Sequence, residues 1–481
     1  MFDLIVVGGG PAGVTAALRA RELGATVGLI ERDRMGGTCT NDGCVPTRVL
    51  AKAARLWRDA DQFETYGLNA PAPDLDFEKL MTRTQHVVYR IHEKKQLISH
   101  LEGSGVSTFI GRGAAQFIDP HTLALADGSV LQANKFILCA GGRARRLDFP
   151  GEELALTHSD VWNLKKLPAS VVIVGGAATG CQLASIFEAF GAKVTLLEVA
   201  PQLLRIEDQM VSTLIEQSFR QRGIQIVTEI SGIERIEKNA TGLELFFSKN
   251  GASERISTQA ILLSTGWLGN LDSLNLQAAG VETTRNYIVV NDYLQTSAEH
   301  IFAAGDITGR MMLVQSAGYE ALAAAENAIL GVGNRQQHTI VPHGGFTDPE
   351  YASVGLTEAQ AKTQEPVSVA TVSYAEIDRA AIDDRNQGAC KLIVSKDNHR
   401  ILGAHVVGEQ ALEIVHVVAT GMAADMWVEQ LAELQIAYPT FTAVIGLAAR
   451  TIVHDLGVVP LSPQWRALAR PDNAEWERRD R

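Results

Sequence analysis

"LIVVGGGPAGVTAALRARELGATVGLIER", residues 4–32, is the segment from which the architecture of this 481-residue chain is best predicted. An apolar run typical of a buried strand leads into a glycine-rich turn, a helix and a second strand. Gly8, Gly10 and Gly13 fit the pattern G-x-G-x-x-G, and Glu31 closes the second strand. This arrangement predicts a dinucleotide-binding unit, with phosphates held by helix N–H groups and an adenosine ribose hydroxyl held by Glu31.

Each glycine of this turn has its own physical task. Gly8 allows the tight turn, Gly10 lets the backbone approach a pyrophosphate, and Gly13 lets the helix pack closely on the strand. A plain glycine-rich turn between a strand and a helix is the alternative interpretation. The strand, the helix and the acidic residue nevertheless all occupy the positions that the dinucleotide fingerprint requires.

The same unit recurs as "VVIVGGAATGCQLASIFEAFGAKVTLLEV", residues 171–199. Gly175, Gly180 and Glu198 each lie 167 residues after their counterparts in the first unit, so both units share one internal spacing. Ala177 stands where the middle glycine would be, and its methyl group narrows the approach to a pyrophosphate. Two such units predict that the chain binds two nucleotides at once.

Glu198 also predicts which nicotinamide nucleotide is used. A carboxylate at this position accepts a hydrogen bond from a ribose 2′-hydroxyl but repels a 2′-phosphate, so NADH is favoured over NADPH. Arg205 is the nearest cation in the sequence and could soften this preference.

The composition indicates an ordinary globular protein with an acidic surface. A formal net charge of −12 and a pI near 5.5 argue against nucleic acid or anionic membranes as main partners. The N-terminus, "MFDLIVVGGG", lacks the features of a signal peptide, and no apolar run is long enough for a membrane span. We therefore expect a cytoplasmic protein of roughly two to four domains.

Two further segments bear on the organisation of the chain. Residues 80–101, "LMTRTQHVVYRIHEKKQLISHL", show the periodicity of one amphipathic helix with a charged face. Its histidines, His86, His92 and His100, are expected at the surface or in packing rather than as ligands. Beyond about residue 340, alternating strands followed by helices predict an α+β domain.

Of the five cysteines, Cys39 and Cys44 lie together in "MGGTCTNDGCVPTRVL", residues 35–50. Structural zinc usually needs four ligands at short paired spacings, and no second cysteine pair or histidine cluster follows this stretch. Five sparse cysteines in a reducing compartment are not a disulfide framework, so a disulfide here is expected to cycle rather than to staple the fold. The residues themselves leave a redox couple and two inert thiols as the alternatives.

Four motifs resemble those of the flavoprotein disulfide reductases, the family of dihydrolipoamide dehydrogenase, glutathione reductase and mercuric reductase. They are "GGTCTNDGCVPTRVL" (36–50), "ILCAGG" (137–142), "IFAAGDITGRMML" (301–313) and "FTDPEYASVGLTEAQA" (346–361). The motifs are specific, and the resemblance covers residues 1–458, which is most of the chain.

The resemblance implies an α/β fold with two Rossmann-like dinucleotide-binding domains, one for FAD and one for NAD(P), and an α+β C-terminal dimerisation domain. It places the FAD-binding domain at residues 1–150 and 271–337 and the NAD(P)-binding domain at 151–270. The dimerisation domain is expected at 338–460, and a C-terminal extension at 461–481. The resemblance also implies a homodimer whose active site uses the partner's C-terminal domain.

The resemblance further implies two sets of cofactor-binding residues. The residues for FAD are Gly8, Gly10, Pro11, Ala12, Gly13, Glu31, Arg32, Gly37, Thr38, Ala115, Gly141, Asp306 and Leu313. The residues for NAD(P) are Gly175, Gly180, Glu198 and Gly266. Within the first set, Asp306 is expected on the ribityl chain and Thr38 near the phosphates.

The same resemblance implies a relay of electrons from NADH through FAD to a Cys39–Cys44 disulfide. Cys44 is then the thiolate next to the flavin, and Cys39 attacks the substrate. Pro46 suits a first helical turn, so the pair is expected near a helix N-terminus, which lowers the pKa of a thiol.

The sequence departs from the family at the dyad that transfers protons to and from the thiols. Disulfide-reducing members carry a His-Pro segment and a following Glu, whereas "IAYPTFTAVIG" (436–446) has Tyr438 and Ala443 at these positions. The ordinary pKa of tyrosine is near 10, so Tyr438 cannot shuttle a proton at neutral pH as an imidazole does. We assign Tyr438 to the catalytic site as a hydrogen-bond donor, with packing at the dimer interface as the alternative.

Two other departures lie near the expected flavin site. Arg48 stands where the family commonly has Lys, and Gln182 replaces the Glu that pairs with it, so a carboxylate becomes a neutral amide. We assign Arg48 to the catalytic site, where a guanidinium stabilises reduced flavin. Trp267 stands where Arg is usual.

We therefore predict an FAD enzyme that oxidises NADH, or less readily NADPH, through a redox-active Cys39–Cys44 disulfide. Its acceptor, a small molecule or a small protein, is not identified by the sequence. Mercuric reductase carries an additional C-terminal cysteine pair, whereas this chain has no cysteine after Cys390. One alternative is a diaphorase in which electrons leave the flavin directly for a quinone, a dye, oxygen or a metal ion. A second is a non-enzymatic nucleotide-binding module.

Overall fold

The structure, a computed structural model, describes residues 1–71, 73–240 and 242–458. It forms two compact units, one of residues 1–203 with 219–339, and one of residues 204–218 with the residues from 340 onward. The extension expected at 461–481 lies outside the described residues, and the expected domain boundaries stay a prediction. Within the described ranges, no helix combines the length and the apolar composition needed to cross a membrane.

The helices and strands alternate along most of the chain. In chain order, the helices are α1 (Pro11–Glu22), α2 (Gly37–Asn41), α3 (Cys44–Ala60), α4 (Phe77–Lys95), α5 (Leu97–Gly103), α6 (His158–Val161), α7 (Ala178–Ala189), α8 (Gln209–Gln221), α9 (Val314–Leu330), α10 (Glu358–Gln364), α11 (Asp378–Ile382), α12 (Ala411–Ala423), α13 (Val428–Glu433) and α14 (Ala443–Asp455). The strands are β1 (Phe2–Val7), β2 (Val27–Glu31), β3 (Ser107–Ile110), β4 (Ala115–Asp119), β5 (Thr122–Leu125), β6 (Val130–Leu138), β7 (Gly142–Ala144), β8 (Leu156–Thr157), β9 (Ser170–Val174), β10 (Lys193–Leu197), β11 (Gln225–Val227), β12 (Ile230–Asn239), β13 (Gly242–Lys249), β14 (Ala252–Thr258), β15 (Ala260–Leu263), β16 (Trp267–Gly269), β17 (Thr283–Thr284), β18 (Tyr287–Ile288), β19 (Ile301–Ala303), β20 (His343–Gly345), β21 (Tyr351–Gly355), β22 (Val367–Ser373), β23 (Ala389–Ser395) and β24 (Ile401–Val407).

The first unit opens with a parallel layer in the order β3-β2-β1-β6, with β19 beside β6. The hairpin β4-β5 continues β6 as antiparallel strands. Leu4–Val7 of β1 are all buried, as expected for a parallel strand covered on both faces. The alanine-rich faces of α1 and α9 pack on each other, because small side chains let the two helices approach closely.

The second copy of the glycine motif lies in a layer of matching topology. Its strands run in the order β11-β10-β9-β15-β8, with parallel pairing throughout. The strands β12, β13 and β14 form a separate antiparallel sheet. The short strands β7 and β16 pair where the chain passes between the two layers. The two predicted Rossmann-like domains are therefore confirmed.

The segment 80–101 is interrupted, so the expectation of one continuous helix is wrong. Gln96 has a φ of 42°, in the left-handed region, between the end of α4 and the start of α5. Its N–H donates to the carbonyl of His92 and closes α4, and α5 begins at the next residue. The break lets Leu101 reach the core, where it is fully buried.

In the second unit, an antiparallel sheet in the order β20-β21-β24-β23-β22 packs against α12, α13 and α14. Leu392, Val394, Ala404 and Val406 are buried in this core with apolar residues of the helices. Strands and helices are grouped rather than alternating, so the predicted α+β C-terminal domain is confirmed.

A buried ionic network also lies in the second unit. Lys391 on β23 donates to Asp208 (Nζ to Oδ1, 2.8 Å) and to Glu358 (Nζ to Oε2, 2.6 Å). Only 10% of its side chain is exposed, and burial opposes its charge while Asp208 and Glu358 favour it, so its pKa is raised. Glu358 also pairs with Lys362, whose side chain is 60% exposed. The two lysines therefore bind one carboxylate in very different surroundings.

We predict that Lys391→Met destabilises the protein by about 3–5 kcal/mol, because it leaves two carboxylates without their buried cation. Lys362→Met removes a solvent-screened partner of the same Glu358 and should cost at most about 1 kcal/mol. Chemical denaturation of both variants and the wild type gives the two free energies of unfolding. Equal, small losses for the two variants would contradict this assignment.

Candidate active site

The first glycine turn carries a carboxylate that the backbone holds in place. The Gly9 N–H donates to Glu31 Oε2 (2.7 Å), and the Asp33 N–H donates to Glu31 Oε1 (2.8 Å). A carboxylate can accept about four hydrogen bonds, so both oxygens retain capacity for hydroxyl donors. Glu31 is therefore oriented for a ribose before any ligand binds.

An open cleft lies beside this carboxylate. Four residues predicted for FAD line it: Gly8, Glu31, Arg32 and Ala115. Asn270 lines it as well and donates to the Ala140 carbonyl (2.8 Å), and sequence reasoning missed this residue. An acid, an exposed cation and small apolar residues around one cleft are suited to an adenosine.

The glycines next to the cleft leave room for a pyrophosphate. A Cβ built on Gly10 would meet nothing nearer than Gly37 Cα, at 3.6 Å, whereas a Cβ on Gly37 would lie 2.8 Å from Gly10 Cα. Gly37 is therefore needed for the close approach of the two chain segments, while the protein itself would tolerate a side chain at Gly10. Gly10, Pro11 and Ala12 begin α1, and Thr38 follows Gly37 in α2. The helix start and this open space fit a phosphate ligand.

A fully buried acid lies close to Asp306. Glu320 on α9 is fully buried, accepts from the Gly305 N–H (Oε2, 2.7 Å) and contacts His338 Nε2 through Oε1 (2.8 Å). Burial, with a smaller contribution from Glu320, raises the pKa of Asp306 to about 6. Sequence reasoning missed Glu320, although an acidic residue on the alanine-rich face of a helix was a visible signal.

The remaining residues predicted for FAD lie in the same unit. Gly141 has a φ of 69° and accepts from the Asn270 N–H through its carbonyl (3.0 Å). Leu313 directly precedes α9 and accepts from the Ala317 N–H (2.8 Å). The donors, acceptors and glycine spaces of this region together fit an FAD molecule.

The second glycine turn repeats the geometry of the first. The Gly176 N–H donates to Glu198 Oε2 (2.5 Å), and the Ala200 N–H donates to Glu198 Oε1 (2.8 Å). Ala177 has a φ of −83°, which suits any residue, and its methyl group is exposed. Gly266 has a φ of 103° and open space around it. The methyl group at Ala177 therefore strains nothing within the protein.

The two cysteines meet at the junction of two helices. Cys39 lies in α2 and is half-buried, and Cys44 is the first residue of α3 and is exposed. A hydrogen bond from Cys39 lowers the pKa of Cys44 to about 7. The same contact, together with burial, raises the pKa of Cys39. The pair therefore holds one thiol and one thiolate near neutral pH.

The other two predicted catalytic residues, Arg48 and Tyr438, lie far from each other in the sequence. Arg48 is half-buried on α3, which packs on α7, the helix that carries Gln182. Tyr438 lies in the second unit, is 79% exposed, and donates through its hydroxyl to Asp378 Oδ2 (2.7 Å). The hydrogen bond to Asp378 raises the pKa of Tyr438 further above its ordinary value. Tyr438 therefore does not act as a base near neutral pH.

Residues 2–321 match the family described as "Pyridine nucleotide-disulphide oxidoreductase", and residues 341–449 match its dimerisation domain. The chain belongs to this family of pyridine nucleotide-disulphide oxidoreductases. It is thus an oxidoreductase of the flavoprotein disulfide reductase class, which depends on FAD and takes electrons from NAD(P)H.

Known proteins in this oxidoreductase family match nearly the whole chain. A mercuric reductase of Lysinibacillus sphaericus is 32% identical over 95% of this chain and 83% of its own length. A dihydrolipoyl dehydrogenase of Bacillus subtilis (strain 168) is 30% identical over 93% of this chain and 97% of its own. The HOCl-induced flavoprotein disulfide reductase RclA from Escherichia coli is 26% identical, with a TM-score of 0.83 over 95% of this chain and 100% of that structure.

We predict that, in the reduced protein, alkylation of Cys44 by iodoacetamide has its half-maximal rate near pH 7. Because the pKa is lowered, the reactive thiolate is present above that pH and is lost as the pH falls through it. Cys39→Ala removes the hydrogen-bond donor and should move the midpoint towards the ordinary value of about 8.5. Cys39→Ser keeps a hydroxyl donor and should lie between these two.

Mass spectrometry of the alkylated peptides resolves each cysteine separately. Cys390 is fully buried and should stay unmodified in the folded protein, which makes it an internal control. The thiol–thiolate contact would be contradicted if the alkylation rate of Cys44 did not change with pH around neutrality. It would also be contradicted if Cys39→Ala left the midpoint of that rate unchanged.

Proposed function

We propose that this oxidoreductase is a homodimeric, NADH-dependent FAD enzyme in which the Cys39–Cys44 pair delivers electrons to a thiol-binding metal ion, Cu(II) or Hg(II). The observation that carries the proposal is the placement of Cys39 in α2 and of Cys44 at the start of α3, and the lowered pKa of Cys44 supports it. The dimerisation domain supports the dimer. Membership of the family by itself does not identify the electron acceptor.

The residues of the chain have distinct tasks in this proposal. Glu31 and the first glycine turn hold the adenosine end of FAD, and Glu198 with the second turn holds NADH. FAD, when bound there, would supply the chemistry that turns the hydride of NADH into two electrons for sulfur. The Cys39–Cys44 bond then breaks to leave a thiolate on Cys44 and a thiol on Cys39, which stabilises that thiolate by its hydrogen bond.

The absent dyad favours a metal acceptor over an organic disulfide. Reduction of a disulfide needs a group that supplies protons to the leaving thiol, and a positioned acid–base typically contributes about 10²–10⁴-fold. Tyr438 is bound to Asp378, and Ala443 cannot orient any partner. Such metal ions bind thiolates directly, without that proton transfer.

Two named relatives support this class of acceptor. One is called mercuric reductase, and RclA has been solved as a Cu(II) complex. Re-forming the disulfide from one thiolate and one thiol releases two electrons and one proton. The two electrons convert two Cu(II) ions to Cu(I) or one Hg(II) ion to elemental mercury. The chain has no cysteine after Cys390, so the proposal uses Cys39 and Cys44 themselves as the metal-binding groups.

Anaerobic reduction with NADH tests the relay. The wild type should develop a long-wavelength charge-transfer band between the Cys44 thiolate and the flavin, and it should reduce Cu(II), followed with a Cu(I) chelator. Cys44→Ser should lose both signals. Cys39→Ser should show the band before NADH is added, because Cys44 then rests as a thiolate, and should lose Cu(II) reduction.

Cys390→Ala removes a buried thiol elsewhere and should retain the band and Cu(II) reduction, which makes it the matched control. If the flavin bleaches without a band and Cu(II) reduction survives Cys44→Ser, electrons leave the flavin directly and the relay is wrong. Faster turnover with lipoamide or glutathione disulfide than with the metal ions would instead contradict metal ions as the electron acceptors.

The preference for NADH rests on the fixed carboxylate of Glu198. Two backbone N–H groups hold it at the end of β10, so it cannot swing away from a 2′-phosphate without breaking both hydrogen bonds. The same position accepts a hydrogen bond from a 2′-hydroxyl. We therefore expect a higher kcat/KM with NADH than with NADPH.

Glu198→Gln keeps the shape of the side chain and removes its charge. The ratio of kcat/KM for NADH to that for NADPH should fall about tenfold or more, which corresponds to about 1.4 kcal/mol. Glu254→Gln, at an exposed position on β14, should leave this ratio unchanged. A wild type that prefers NADPH, or a ratio unaffected by Glu198→Gln, would overturn the assignment.

A further inference from the structure

The residues between Cys39 and Cys44 are held by side chains of other elements. On one side they contact α4: Lys95 Nζ lies 3.4 Å from Thr40 Oγ1, and His92 Nε2 lies 2.8 Å from Asn41 Oδ1. Asn41 Nδ2 also donates to the Met35 carbonyl (3.0 Å), which precedes α2. We expected His92 at the surface or in packing. It contacts the segment between Cys39 and Cys44, which we call the redox loop.

On the other side, Asp42 is held by the segment that contains α6. The Asp42 carbonyl accepts from Trp162 Nε1 (2.7 Å), and the Asp42 carboxylate accepts from the Ser159 hydroxyl (2.6 Å). His158 Nε2 lies 3.1 Å from the same hydroxyl oxygen. These partners are more than 110 residues away in sequence and belong to the second Rossmann-like domain.

The direction of this chain of hydrogen bonds follows from its proton count. The Ser159 hydroxyl has one proton and gives it to Asp42, so His158 must donate its Nε2–H to the hydroxyl oxygen. His158 is 6% exposed, and burial lowers its pKa, so it is neutral and can adopt that tautomer. Its ring packs 4.7 Å from the ring of Trp267, which fixes the orientation of the imidazole.

We propose that Asp42 is a positioning residue that, held by Ser159 and Trp162, fixes the redox loop and stabilises the Cys39–Cys44 disulfide relative to the dithiol. The inference rests on the proposed function, in which this pair cycles. A disulfide fixes its two sulfurs covalently, whereas a dithiol is free to separate. A loop that holds the thiols together removes freedom from the dithiol only, so it raises their effective concentration and favours the disulfide.

The negative charge of Asp42 could also shift the equilibrium between disulfide and dithiol, so the variants must distinguish the effect of charge from that of position. A carboxylate near two thiols also opposes their ionisation, so removing its charge would favour reduction without any change of position. Asp42→Asn removes the charge but retains a carbonyl oxygen that accepts from Ser159. Asp42→Ala removes both, and Ser159→Ala removes the donor while leaving the charge.

The experiment equilibrates the FAD-loaded protein, without NADH, in anaerobic dithiothreitol redox buffers and counts free thiols by alkylation and mass spectrometry. Asp42→Ala and Ser159→Ala should each raise the equilibrium constant for reduction about tenfold, which is about 30 mV for a two-electron couple. Asp42→Asn should stay within about twofold of the wild type. Asp61→Ala, an exposed acid just after α3, is the matched control and should not change the constant.

Wild-type constants for both Asp42→Ala and Ser159→Ala would overturn the inference and leave the relay standing. An Asp42→Asn constant equal to that of Asp42→Ala would overturn it in favour of the charge. Should oxidised wild type form no disulfide at all, both the relay and the inference would fall. Thermal unfolding and FAD content of each variant show that the comparison is made between folded proteins, and Ser159→Ala tests the contact even if Asp42→Ala does not fold.

Discussion

Both nucleotide-binding halves depend on the contact between a helix start and the turn before it. A Cβ on Gly13 would lie 1.7 Å from the Gly8 carbonyl oxygen, and one on Gly180 would lie 1.8 Å from that of Gly175. No side chain fits at these distances, so each helix begins directly over the strand end. That position lets the next N–H of the turn bind the acid at the end of the neighbouring strand, and it points the helix N-terminus at the phosphates.

The chemistry of the pair depends on a different constraint, which is the separation of two sulfurs. Cys39 stabilises a thiolate on Cys44 only while the two remain in hydrogen-bonding contact. The loop between them is held from α4 and from the segment around Ser159, so a contact that short sequence spacing allows is enforced by distant side chains. In the proposed function, Tyr438 supplies no acid–base group, so the reaction relies on the thiolate of Cys44 itself.

Short-range patterns in the sequence were sufficient for both Rossmann-like domains, because periodicity, glycine position and the closing acid are all set within about thirty residues. They failed at Gln96, where the apolar pattern continues through a left-handed residue that redirects the helix. They also missed Glu320, whose value as a buried acceptor depends on the Gly305 N–H, and Asp42, whose partners come from another domain.

Local sequence was therefore enough for the fold class and the two nucleotide turns, since both depend on backbone geometry and on residues close together in the chain, and it predicts a site at Cys39 and Cys44. The folded chain was needed to show which groups set the properties of that site. The pKa of Cys44 depends on its contact with Cys39, and the support of Asp42 depends on Ser159, 117 residues later. Electrostatics and hydrogen bonding act through distances in space, and those distances exist only once the domains have packed.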